Sequence, residues 1–279
     1  MSKKVVLITG ASSGIGLTTA KMLLNDGYTV YCAARRTELM EPLKAEGGHP
    51  VFLDLTDDAS IKTCVESILR TEGRIDILIN NAGYATGGSL EDTPIEDAKR
   101  QFEVNVFGLI RTTQLCLPAM REQKSGLIIN ISSMAGLFSS PYLGWYHAAK
   151  YSVEALSDSL RSEVKSFGIN VAIIEPGLIK TNWGVIAGNI IEKTSGGTAY
   201  KDNALLYSDF YKRNYNEHAN VSDPSVISKA IYKAIKAKKP KTRYRTGKNS
   251  HAFVFLKRIL PDRLFDFTSD RLIKYFGVK

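Results

Sequence analysis

With 279 residues, 44% of them hydrophobic and 23% charged, the chain has the composition of an ordinary folded protein with a substantial core, which excludes fibrous and disordered classes. The net charge of +9 is unevenly placed: residues 229–279 hold 15 Lys and Arg against three Asp, a net of +12. Residues 1–228 then hold 22 basic against 25 acidic residues, a net of −3, so the basic tail suits an anionic partner or a solvated basic face. Cys32, Cys64 and Cys116 are far apart and fit no CxxC or Cys/His ligand spacing, so neither a metal site nor a disulfide framework is expected. The start, MSKKVVLITG, carries an apolar run of only four residues, no run approaches a membrane span, and lipidation patterns are missing; a cytoplasmic protein is the expectation.

In chain order, strands are predicted at 5–9, 29–34, 50–55, 75–80, 126–132 and 170–176. Their apolar runs are nearly continuous rather than alternating, as in strands buried on both faces. Helical patterns lie between them, such as Leu17–Asn25 before Gly27 and Ser60–Thr71 before Gly73. This alternation predicts an α/β doubly wound parallel sheet of the Rossmann type, forming one domain over residues 1–279.

Beyond Pro176 the rhythm breaks. Residues 182–222 read as one or two irregular helices with a mobile connection, the expected substrate lid. Their Trp183, Ile186, Ile190, Ile191, Tyr207, Phe210 and Tyr211 suit an apolar cleft or ordinary core packing. A helix over 224–238 follows its cap Asp223, then an edge strand in KPKTRYRTG. Residues 240–279 form a basic C-terminal extension that ends in an amphipathic stretch broken at Pro261. In it Phe265, Leu272, Ile273 and Phe276 recur at helical spacing beside Arg263, Arg271 and Lys274. Such a stretch can lie on an anionic bilayer, cover a lipophilic pocket, or pack on its own domain or a second subunit.

The segment TGASSGIG follows the first strand, with glycines at 10, 14 and 16. It serves a plain strand-to-helix turn, or a pyrophosphate cradle in which Gly10 makes the turn, Gly14 and Ile15 bring backbone close, and the helix start attracts the anion. The second strand ends in AARR: Ala34 stands where an acid would take a ribose 2′-hydroxyl, and Arg35 and Arg36 follow. With the hydroxyl of Ser12, this favours a 2′-phosphate, hence NADP(H). Asp54 can accept from an adenine amine or cap the next helix.

In YHAAK, Tyr146 and Lys150 fall at i and i+4 of a predicted helix, where an ammonium beside a phenol makes proton transfer accessible at neutral pH. A helix-surface contact is the plainer reading of the pair alone. Ser133 ends the fifth strand in NISSMAG, and Asn105 is a lone amide in an apolar helical stretch.

TGASSGIG, NNAG at 80–83, Asn105, Ser133, Tyr146-x-x-x-Lys150 and PGLIKT at 176–181 occur in one order, and the chain resembles the short-chain dehydrogenase/reductase family over residues 4–181. The resemblance implies Tyr146 as general acid/base, Lys150 as the ribose-binding group that lowers its pKa, Ser133 holding the substrate oxygen and Asn105 supporting Lys150. It further implies cofactor contacts from Gly10, Ser12, Ser13, Gly14, Ile15 and Gly16. Arg35 with Ser12 would meet the 2′-phosphate, and Asp54, Asn81 and Gly83 the adenosine end. Pro176, Gly177, Ile179 and Thr181 would lie at the nicotinamide. VYCAAR and LPDRLFD resemble members acting on steroids, retinoids and other lipophilic alcohols or ketones.

The expected function is therefore hydride transfer between NADP(H) and a carbonyl or alcohol of a lipophilic small molecule, in a homodimer or homotetramer. Two alternatives remain: a catalytically silent nucleotide sensor or scaffold, and a 3-oxoacyl-type reductase. No nucleic-acid partner is expected, although Tyr and Phe interleave with Lys and Arg in the tail.

Overall fold

The computed structural model describes residues 3–215 and 221–277, with side chains as far as Ile273. Six strand-helix units build the sheet. They comprise β1 (Val5–Thr9), α1 (Gly14–Asn25), β2 (Thr29–Ala34), α2 (Pro42–Ala45), β3 (His49–Phe52), α3 (Asp58–Glu72), β4 (Ile77–Asn80), α4 (Ile95–Phe102), α5 (Gly108–Glu122), β5 (Gly126–Ile131), α6 (Gly144–Val164) and β6 (Ile169–Pro176). After β6 come α7 (Trp183–Ser195), α8 (Lys201–Asn214), α9 (Pro224–Lys236), the edge strand β7 (Arg243–Thr246), α10 (Ser250–Ile259) and α11 (Asp262–Gly277).

All strands are parallel, in the order β3-β2-β1-β4-β5-β6-β7. Strand order reverses between β1 and β4, and the crevice that such a reversal opens lies beyond the strands' C-terminal ends. Val6 and Ile8 pack with Leu23 of α1 and Ile231 of α9, while Val5 and Leu7 pack with Ile68 of α3 and Met120 of α5. Both faces are covered, which is why the strand runs read as continuously apolar. Helix α3 starts at Asp57, whose side chain accepts from the Ala59 N–H at 3.0 Å, and stops at Gly73 in the left-handed region, φ +69°.

Residues 183–214 depart from the expected irregularity by forming two regular helices packed on each other. Gly188 is a contact point between them: a Cβ there would lie 2.7 Å from the Ser208 carbonyl oxygen, so only glycine lets α7 and α8 approach so closely. The expected break at Pro261 divides α10 from α11, which fold back on the domain. Phe265 packs with Phe138 and Val254, and Ile273 packs with the aromatic cluster of α8. The side chains of Lys274 and Phe276 lie outside the described ones. Among the described residues, no helix is long and apolar enough to cross a membrane.

A buried amide chain fixes the register of the layers. Asn80 Nδ2 of β4 donates to Thr113 Oγ1 of α5 at 3.0 Å and to Asn130 Oδ1 of β5 at 2.9 Å, and Asn130 Nδ2 donates to Ser157 Oγ of α6 at 2.8 Å. Removing one member of such a chain strands the others in a dry interior. Asn130→Ala is expected to cost about 1–3 kcal/mol of stability, read as a lower urea midpoint at unchanged slope.

Candidate active site

The C-terminal ends of the strands open into one cleft of about 1660 Å³. At its inner floor, Gly10 takes φ +70°, and a Cβ there would lie 2.7 Å from the Ala82 backbone. The turn therefore sits flush on the β4 end, leaving Ser12, Ser13, Gly14 and Ile15 along the cleft wall at the start of α1. Gly16 is beneath the wall, facing the Gly10 carbonyl and Asn81 Nδ2. Asn81 lines the cleft but also ties the strand ends together: its Nδ2 donates to the Thr9 oxygen at 2.9 Å and the Gly10 oxygen at 3.2 Å.

On the β2 side of the cleft, Arg35 and Arg36 follow the strand, exposed, and Arg100 of α4 joins them. Asp54 is not a helix cap, since Asp57 fills that role. Asp54 Oδ1 instead accepts from the Thr56 N–H at 3.0 Å and the Thr56 hydroxyl at 2.8 Å. Burial acts to raise the Asp54 pKa, but those bonds and the charges of Arg35 and Arg100 outweigh it and hold the carboxyl below its ordinary range. Arg100 carries no motif and was not foreseen.

The proposed reacting groups meet at the ends of β5 and α6. Lys150, 6% exposed, donates from Nζ to the Ile131 carbonyl at 2.8 Å, and its Nζ stands 5.8 Å from the Tyr146 ring centroid. Ser133 Oγ accepts from the Ala135 N–H at 3.1 Å and stands beside the Tyr146 phenol. Burial pushes the Tyr146 phenol above its ordinary pKa, with the Ser133 contact opposing that rise. Burial likewise pulls Lys150 down to about 8, with Glu154 acting against it. The ammonium is thus turned to a carbonyl and a ring face, and desolvation rather than Lys150 dominates the phenol in the chain alone.

Asn105 lies in a π-helical turn, 103–107, between α4 and α5. The widened turn points the amide inward: Oδ1 accepts from the Tyr84 N–H at 3.1 Å and Nδ2 donates to the Tyr84 oxygen at 2.8 Å. A Cβ at Gly83 would be 3.2 Å from Asn105 Oδ1 and 3.8 Å from Lys150 Nζ, so both groups converge on one backbone spot. His147 was not foreseen. Its Nε2 accepts from the Ser140 N–H at 3.1 Å while Nδ1 stands 2.9 Å from the Ala135 carbonyl, and burial lowers its pKa. It is a neutral pin between α6 and the loop that carries Ser133.

Pro176, Gly177, Ile179 and Thr181 border the cleft beyond β6. Trp183, Ile186, Ile190, Phe210 and Tyr211 form the outer wall, whereas Ile191 and Tyr207 are core, at 0% and 2% exposed. The remaining wall comes from the C-terminal extension: Phe253 and Leu256 of α10, with Ser269, Leu272 and Ile273 of α11. The cover-the-pocket reading of the tail thus fits Leu272 and Ile273, while Phe255, Ile259 and Phe267 are exposed at 61%, 55% and 56%.

The pattern matches known proteins. The short chain dehydrogenase family matches residues 4–186. A probable short-chain type dehydrogenase/reductase of Helicobacter pylori is 40% identical, covering 94% of this chain and 95% of its own. The 3-ketodihydrosphingosine reductase of Bacteroides thetaiotaomicron is 35% identical over 96% and 97% of the two chains. The NADPH-dependent 3-dehydrocapnine reductase of Ornithobacterium rhinotracheale is 35% identical over 94% and 95%. A short-chain dehydrogenase structure from Streptomyces avermitilis superposes with a TM-score of 0.79 at 33% identity, over 100% and 97% of the chains. A parallel sheet in this order, with a glycine turn at its switch point and a family match through β6, places the chain in the short-chain dehydrogenase/reductase family, oxidoreductases that use NAD(P) on carbonyls and alcohols.

Proposed function

We propose that the chain is an NADPH-dependent reductase of a lipophilic ketone with a long apolar portion. The observation that carries this reading is one continuous cleft with three arginines at one end, Tyr146, Ser133 and Lys150 at its centre, and an aromatic wall at the other. The residues fit a phosphorylated nicotinamide dinucleotide: the Gly10 turn, flush on the Ala82 backbone, leaves Ser12 to Ile15 along the cleft wall at the start of α1, and Arg35, Arg36 and Arg100 stand where β2 offers no acid. Gly10 to Ile15 would hold the pyrophosphate, Asn81 and Gly83 the ribose side, and Ile179 and Thr181 the nicotinamide end. Lys150 would hold the nicotinamide ribose.

When bound, the cofactor supplies hydride to the carbonyl carbon. Ser133 holds the carbonyl oxygen by its hydroxyl, and Tyr146 delivers the proton that the oxygen requires. Asn105, anchored on Tyr84, keeps the Gly83 backbone and the Lys150 ammonium in place. Trp183, Phe210, Tyr211, Leu256 and Leu272 supply an apolar channel suited to a lipophilic ketone, and two of the relatives are named as reductases of 3-ketodihydrosphingosine and 3-dehydrocapnine. The complete set of four reacting residues argues against a silent sensor. A 3-oxoacyl thioester is the competing substrate.

We further propose that the exposed Phe255, Ile259 and Phe267, with exposed Arg258, Arg263 and Arg271, meet an anionic bilayer from which such a substrate is drawn.

Loss of nicotinamide absorbance, followed with a long-chain 3-keto amine, a steroid ketone and a 3-oxoacyl thioester, separates the substrate readings, with fastest turnover expected on the first. Tyr146→Phe is expected to cut turnover at least about 100-fold while NADPH affinity holds, since the phenol handles the proton. Arg35→Asp is expected to weaken the preference for NADPH over NADH by about tenfold or more, measured as the ratio of kcat/KM values. In liposome flotation the full chain is expected to bind anionic but not neutral vesicles, and to detach as salt shortens the screening length.

A further inference from the structure

The pin made by His147 leaves one group over, the hydroxyl of Ser140, and both residues line the cleft. Ser140 lies in the loop between β5 and α6, and His147 follows Tyr146 on α6. The His147 ring centroid is 6.3 Å from that of Tyr146 and 5.7 Å from that of Phe138. Tyr146 also meets Trp183 at 5.0 Å, and Trp183 meets Tyr211 at 6.1 Å. A polar pair in such aromatic surroundings has a direction, because each hydrogen bond needs one donor and one acceptor.

The backbone fixes that direction. The Ser140 N–H can only donate, and it stands 3.1 Å from His147 Nε2, so that nitrogen carries the lone pair. The Ala135 carbonyl can only accept, and it stands 2.9 Å from Nδ1, so the ring proton sits there. Both ends agree on one neutral tautomer. The Ser140 hydroxyl lies 2.9 Å from the same Nε2, and toward a lone pair it can act only as donor. Its hydrogen is thereby turned into the protein, and toward the cleft Ser140 Oγ shows lone pairs. The Tyr211 phenol, which stands beside Ser140, can then only donate to it, and its own oxygen shows the cleft lone pairs as well.

Holding His147 does not require the hydroxyl. Backbone groups already meet both ring nitrogens, and alanine at 140 would keep both bonds. An acceptor on an apolar wall costs free energy when a substrate displaces its water and offers no hydrogen in return. The wall therefore favours a donor over a bare alkyl chain or an ether oxygen.

We propose that Ser140 is a specificity-determining residue: its Oγ, with its hydrogen committed to His147 Nε2, accepts a hydrogen bond from a hydroxyl or amino group that the substrate carries close to its ketone. The proposal rests on the reductase reading above and narrows it from lipophilic ketones in general to those with a donor near the carbonyl. Closeness follows from the ring contacts, which set His147 against the Tyr146 that would protonate the carbonyl oxygen. The donor fixes which way round the ketone lies, and so which carbonyl face meets the hydride. A ketone without it is free to enter with either alkyl arm inward.

The test reads binding without turnover, by calorimetry of the full chain with NADP+. The probes are long-chain ketones with a hydroxyl on the first, second or third carbon from the carbonyl, beside their methyl ethers, which keep the oxygen and lose the hydrogen. At least one hydroxy ketone is expected to bind about tenfold tighter than its ether, the worth of one hydrogen bond. Ser140→Ala is expected to bring the two affinities together, and Ser140→Thr, which keeps a hydroxyl, to hold them apart. Should Ser140→Ala fail to fold, Ser140→Cys places a poor acceptor at the same point, with the same expectation. Ethers that match their alcohols at all three positions, hydroxy ketones that do not bind, or a difference that survives Ser140→Ala overturn the proposal. Reduction of these ketones by NADPH without any such difference removes the subsite and leaves the proposed function standing, whereas a difference in binding with no turnover does the reverse.

Discussion

The Lys150 ammonium, buried and held 2.8 Å from the Ile131 carbonyl, is the contact on which the rest of the site depends. It pins helix α6 to the end of β5, and so fixes Tyr146 one turn earlier against Ser133 at that strand's exit. A charge in a dry interior is stable only when its surroundings offer compensating groups. Here those groups are a strand carbonyl, the Tyr146 ring face, and the Gly83 backbone facing Asn105. Placing one cation in the cleft therefore constrains four elements of the fold at once.

The same economy shows in the polar chain through the sheet. Asn80, Thr113, Asn130 and Ser157 join β4, α5, β5 and α6 by hydrogen bonds in a core that is otherwise aliphatic. Directional bonds of this kind select one register among the many that apolar strands would accept. Above it, the cleft has two unlike halves. The half proposed for the cofactor is built from backbone turns at strand ends, which the sheet order fixes. The half proposed for the substrate is built from side chains of α7, α8, α10 and α11, whose packing is aromatic and whose shape depends on remote segments.

That contrast explains what could be foreseen. The strands were legible because burial on both faces leaves continuous apolar runs, and their ends matched within a few residues; the third, read as 50–55, forms over 49–52. Asp54 was read as a possible cap, but the cap is Asp57, because the chain makes an additional turn through Thr56 before α3 begins. Within 182–222, expected as one or two irregular helices, two regular helices form, because tertiary packing overrides the cost of a helical glycine where Gly188 lets α7 and α8 meet. Arg100 and His147 carried no local signature, and their importance comes only from what stands opposite them.

The sequence by itself determined the doubly wound sheet and the glycine turn, because periodicity and short-range spacing record how a strand or one helical turn presents its side chains, while Asn105, Ser133, Tyr146 and Lys150 became a candidate set through the ordered motifs that resemble a family. Only the tertiary structure decided that the C-terminal helices line the cleft, that Arg100 joins Arg35, and that Arg243 pairs with Glu154. Those pairings join residues tens of positions apart, and their energies arise from burial and charge, which are properties of the assembled interior rather than of any local stretch.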